Sequence, residues 1–140
     1  MKKYSIFVIF LAFFSVKLFA QPLQENLPPA GDITMVQYDT LKETITNYDG
    51  AELVLAHPSV TQVSIEEEFI VCFIPTQTHE AYPGIACRRV GIENGDIIVQ
   101  TSGWNANPEN TEFQPWLALF NKQDQEIRAE IIESTRSSNE

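Results

Sequence analysis

The sequence predicts an α+β fold: one antiparallel sheet of about five to seven strands, with a single N-terminal helix packed against one face. An all-β sandwich is the alternative. Three observations carry the expectation. Apolar runs of strand length recur from residue 51 onward, the clearest being FIVCFI at residues 69–74. Asn94-Gly95 separates two such runs, and Asn-Gly is the preferred pair of a tight hairpin because both central residues need positive φ. Ahead of the strands, Leu41, Ile45 and Tyr48 fall at i, i+4 and i+7, one face of a helix.

Taken in order, residues 33–38 suit a short edge strand or an extended approach to the helix. Asp39 is a suitable N-cap and Gly50 a suitable C-terminal stop, so the helix is placed between them. Residues 51–56 form a short apolar strand closed by His57-Pro58. Val60, Val63 and Ile65 lead through Glu66, Glu67 and Glu68 into the strand at 69–74, and residues 75–84 form a loop. Residues 85–92 and 97–101 are the two arms of the Asn94-Gly95 hairpin. After a long polar loop at 103–114, residues 116–120 and 126–132 are expected as a last hairpin. In its second arm Ile127, Ala129 and Ile131 alternate with Glu126, Arg128 and Glu130, the period of a strand with one wet face.

The start of the chain is laid out for export. Lys2 and Lys3 precede nine consecutive apolar residues at 6–14, and Ala20 closes a cleavage site. Lys17 interrupts the segment well short of the 18 or so apolar residues that a membrane span requires. The expected divisions are a signal peptide at 1–20, an extended proline-rich linker at 21–31, a single domain at 32–132 and a frayed polar tail at 133–140. The product is expected in the periplasm or outside the cell, without stable membrane insertion.

Removing residues 1–20 takes away three lysines and no acidic residue. The remaining chain then carries 6 − 19 = −13 with neutral histidines. Such a field repels phosphate backbones, so nucleic acid is excluded as a partner; a protein, and a basic one in particular, is steered in. Two cysteines remain, Cys72 and Cys87. An even count in an exported chain reads as a disulfide, and closing that loop contributes about 3 kcal/mol.

No spacing in the sequence names a reaction. Phosphate-loop, zinc-protease, nucleophile-elbow and EF-hand patterns are missing, and no cofactor or metal is implied. The enzyme alternative is a small hydrolase using His57 or His79 with a carboxylate. The better candidates are surface groups for binding. Trp104, Asn105, Asn107 and Phe113 mix aromatic and amide groups in one loop, a composition suited to recognition. Glu66 and Glu68 would share one face of a strand, where they could meet a cation or a basic partner.

The order of these features resembles the VirK family of small exported bacterial proteins. The resemblance rests on the signal peptide, the segment YDTLKETITNYDG, the strand ELVLAH, and the later segments IENGDIIVQTSGW and PWLALFNKQDQEIRAEII, and it covers most of the chain after the leader. It implies an association with virulence or host interaction and no reaction. The expected function is therefore a non-enzymatic binding protein, with an acidic inhibitor of a basic extracellular enzyme as the alternative within that class.

Overall fold

The computed structural model describes residues 22–139, apart from the side chains of residues 55–57; the expected signal peptide lies outside them. The chain forms a mixed α+β structure around a six-stranded sheet. Its elements are α1 (Leu23–Asn26), β1 (Gly31–Asp32), α2 (Met35–Thr46), β2 (Glu52–His57), β3 (Val60–Ile65), a 3-10 turn (Glu66–Glu68), β4 (Ile70–Pro75), β5 (Gly84–Glu93), β6 (Asp96–Asn105) and α3 (Phe113–Ser138). The strand order is β1-β6-β5-β4-β3-β2. Successive strands from β2 to β6 pair antiparallel, and β1 adds in parallel to the far side of β6.

The hairpin expected at Asn94-Gly95 is present: both residues have positive φ, 52° and 82°, and Glu93 faces Asp96 across the turn. From this turn the ladder runs without a break to Gly84 opposite Asn105. Cys72 faces Cys87 across β4 and β5, with Cα atoms 4.0 Å apart, and the two form a disulfide.

Because side chains alternate along each strand, residues facing one another across the ladder share a face. Val63, Ile65, Ile70, Cys72, Ile74, Ile85, Cys87 and Trp104 point to one side. There they form a single buried cluster with Tyr38, Leu41 and Ile45 of α2 and with Leu23 of α1. The other face carries Phe73, Arg88, Thr101 and Gly103, and α3 runs along it above β5 and β6. Gly84 and Gly103 let α3 approach: a Cβ at Gly84 would stand 2.5 Å from the Phe113 ring, and one at Gly103 2.8 Å from Leu117. Arg88 Nε donates to Asp124 Oδ1 at 2.6 Å, and Thr101 Oγ1 donates to the same oxygen at 2.9 Å, which fixes the register of α3 over the sheet.

Several expectations need correction. The last hairpin is instead the long helix α3, which runs through the supposed tail to Ser138. The expected single helix is thus one of two principal helices, and the longer is C-terminal. Helix α2 begins earlier than Asp39: Thr34 Oγ1 accepts from Gln37 N–H and Gln37 Oε1 accepts from Thr34 N–H, a reciprocal cap that outranks a lone aspartate. The residues read as an extended approach are therefore largely its first turn. Finally, the described part of the expected linker, residues 22–31, is not free. Leu23 is wholly buried in the core, and Pro28 carbonyl accepts from Trp104 Nε1 at 3.0 Å.

Candidate functional site

The residues singled out from sequence do not form one surface. Trp104 lies on β6 opposite Ile85, is 1% exposed and belongs to the main core. Phe113 starts α3 and is buried against Gly84 and Gly103. Asn105 is buried and shapes the following loop: its Oδ1 accepts from Asn107 N–H while its Nδ2 donates to Asn107 carbonyl. Asn107 is exposed, but its Oδ1 accepts from Glu109 N–H, so it too is engaged in loop structure. The aromatic-amide composition of this segment serves the junction between β6 and α3.

The acidic run divides likewise. Glu66–Glu68 forms a 3-10 turn, so the alternation expected of a strand does not apply. Glu68 folds inward. Both its oxygens accept from Leu23 N–H, at 2.9 and 3.2 Å, and Tyr48 hydroxyl donates to it. Burial, and then the hydrogen bond and charge of Glu68, raise the Tyr48 pKa above the usual tyrosine value. Glu68 thus ties the lead-in to the turn and to the segment after α2. Glu66 and Glu67 remain exposed. Among the described residues no group of three or more His, Cys, Asp or Glu comes together in a way that could hold a metal. His79 is held in place through Nδ1, which accepts from Ala81 N–H at 2.9 Å, and its ring lies edge-on to Trp116.

What sequence reasoning missed is the residue after the acidic turn. Phe69 is not the first residue of a buried strand. It adopts φ 55°, ψ 42°, the left-handed region, and the residue is 69% exposed. Its N–H donates to Glu66 carbonyl at 3.2 Å and its carbonyl accepts from Val90 N–H at 3.0 Å, so the backbone is held in this conformation from both sides. Phe69 walls an open trough of about 520 Å³ lined by Ser64, Ile65, Glu66, Ile70, Val71 and Val90. Val71 and Val90 lie on the face that α3 occupies, but α3 stays over β5 and β6 and reaches β4 at Phe73, where the Phe120 ring packs 4.8 Å away. Toward the β2 edge that face is only partly covered: Gln62, Ser64 and Val71 are half-exposed and Val54 is exposed.

Charge accentuates the contrast between the two halves of the sheet. From Glu43 to Cys87 there are seven acidic residues and no lysine or arginine. This stretch supplies β2, β3, β4 and most of the trough. Arg88 lies on the other side of the boundary, its charge matched by Asp124 in a mostly buried pair. The arrangement offers a largely apolar trough with Glu66 in its wall and the exposed Glu67 next to it in sequence.

No protein-family model matches the chain, and no similar curated protein or solved structure was found.

Proposed function

We propose that this is an exported, non-enzymatic protein that acts by binding another protein, and that the trough beside Phe69 is its contact surface. The observation that carries the reading is Phe69 itself. A bulky side chain in the left-handed region costs on the order of 1–2 kcal/mol, and a buried ring would offset that cost by packing. Here the residue is exposed beside the half-exposed Val71 and Val90. Strain retained together with exposed apolar surface fits a recognition residue. The disulfide suits an oxidising compartment. Glu66 in the trough wall and the net acidity of the surrounding stretch favour a basic partner, which includes a basic extracellular enzyme that this chain would inhibit. The association with virulence is proposed on the VirK resemblance. A hydrolase is disfavoured for His79, whose Nδ1 is already committed to Ala81 N–H.

Phe69→Gly tests the reading because two effects have opposite signs. Glycine accepts positive φ without penalty, so the variant should unfold at higher temperature, by about 1 kcal/mol in stability. Capture of the physiological partner from host or envelope extract should fall about tenfold or more, as for loss of an aromatic anchor. Unchanged capture by a stabilised variant would reject Phe69 as the contact.

A further inference from the structure

The two ends of the sheet are finished differently. At one end β1 is only two residues long. At the other, β2 runs for six residues, Glu52–His57, and pairs on one side with β3. An edge of this length presents a row of main-chain donors and acceptors, and proteins usually blunt it with lysine, proline or inward-pointing charge. Within β2, ELVLAH, there is neither lysine nor proline. The irregularity between Leu55 and His57 disturbs only its last turn of the ladder; Glu52 to Leu55 keep regular register with Ser64 to Thr61. Leu53 and Val54 are 61% and 47% exposed, one on each face.

This edge, open among the described residues, belongs to the stretch from Glu43 to Cys87, which has seven acidic residues and no lysine or arginine. Glu52 on β2 faces Ser64, which lines the Phe69 trough, so a strand added beside Glu52 would stand about two strand spacings, roughly 10 Å, from the trough. We infer that β2 is a strand-accepting edge: it takes an extended segment of a protein partner in which apolar residues alternate with Lys or Arg. Main-chain hydrogen bonds to β2 supply the attachment. Apolar side chains of the segment extend the surfaces of Leu53 or Val54, and its cations meet the acidic field around Glu52, Glu66 and Glu67. A second copy of this chain is a poor occupant, because two chains of −13 each repel. The inference rests on the binding reading and adds to it the mode of attachment and the chemistry of the partner.

The test uses the purified disulfide-bonded protein and three synthetic heptapeptides: alternating Lys and Val, the same peptide N-methylated at every second amide, and a Glu-for-Lys version. Amide exchange of β2 and peptide affinity are read by NMR. The Lys–Val peptide should slow exchange of alternate β2 amides, and N-methylation or the Glu replacement should weaken binding about tenfold or more. Val54→Lys, which charges the edge without touching the core, should weaken binding about fivefold while Tm stays the same. Equal binding of the N-methylated peptide, binding with unchanged β2 amides, or failure of the Lys–Val peptide to bind would each overturn strand addition. So would protection of β2 amides that grows with protein concentration when no peptide is present, since the occupant would then be a second copy. These results are separable from failure of the binding reading, which is decided by Phe69→Gly against the physiological partner.

Discussion

Tyr38 sits on the sheet-facing side of α2, edge-on to Tyr82 with ring centroids 6.0 Å apart, and its buried hydroxyl has no hydrogen-bond partner among the described residues. Burial, with smaller contributions from Tyr82 and Asp39, pushes its pKa up to about 12 from the ordinary 10.0. The neutral phenol is the form the fold tolerates. Its stabilising contribution is complete below pH 10, where folded and unfolded chains both hold the proton, and is lost as pH rises from 10 through about 12. Tyr38→Phe should therefore fold at neutral pH with little or no loss, since a buried unsatisfied hydroxyl is removed. It should also be less sensitive to alkali: comparison of urea midpoints at pH 9 and 11.5 should show a smaller drop than in the wild type. Equal drops would mean that Tyr38 ionises freely. The same scale explains the misplaced site. Trp104 lies in a polar stretch, and composition alone suggests a surface residue. Register settles the matter: the Asn94-Gly95 turn pairs Glu93 with Asp96, and extending that ladder sets Trp104 opposite Ile85 and on the face of Cys87. The information was legible in the turn, provided the hairpin is followed through ten residues. Phe69 had no comparable signal, because a large aromatic residue is among the least expected occupants of a left-handed position.

Helix α3 shows the same conflict between local pattern and longer period. Residues 126–131 alternate like a strand, yet Phe113, Leu117, Phe120, Asp124, Ile127 and Ile131 follow the four-three spacing of a helix face. The aspartate interrupts the apolar stripe and hides it. In the folded protein Asp124 is buried and serves as the point of attachment, accepting from both Arg88 and Thr101, while Arg88 also donates to Gln123 and lies over the Phe73 and Phe120 rings. Removing one member of a buried pair strands the other, so Asp124→Ala should destabilise the protein by about 3–5 kcal/mol in urea unfolding. Replacing both partners, Arg88→Met with Asp124→Leu, should recover most of that loss, because the desolvated charges then disappear together. A cost below about 1 kcal/mol for Asp124→Ala would mean that apolar packing alone docks the helix. The sheet was far more legible than this helix. Its strands are short apolar runs bounded by turn residues, and their pairing follows chain order from β2 to β6. The cap of α2 was also present in the sequence as Thr34 and Gln37, but Asp39 competes with it when the residues are judged singly.

Across the whole molecule, charge acts on folding and on association with opposite signs. The chain from Gln21 carries 6 − 19 = −13, and its six cations lie at Lys42 or at Arg88 and beyond. The half containing β2, β3, β4 and the trough is therefore the more strongly negative. Self-repulsion of like charges destabilises the compact state, and salt screens it: the Debye length falls from about 30 Å at 0.01 M to about 10 Å at 0.1 M. Sodium chloride is the appropriate salt, because sulfate would also strengthen apolar burial directly. Raising it from 0.01 to 0.3 M should raise Tm, on the order of 3–6 °C. The same screening removes the attraction that steers a basic segment toward the acidic half. The association rate of the Lys–Val peptide should fall about tenfold over the same range, while its dissociation rate changes little, because contacts already formed on β2 are short-ranged. Stopped-flow association and thermal unfolding measured on the same samples would show stability and association rate moving apart as salt increases. If both fall together, salt is disrupting the fold, and the charge is not steering a partner. If the association rate is flat while Tm rises, the charge maintains solubility without recruiting a basic chain.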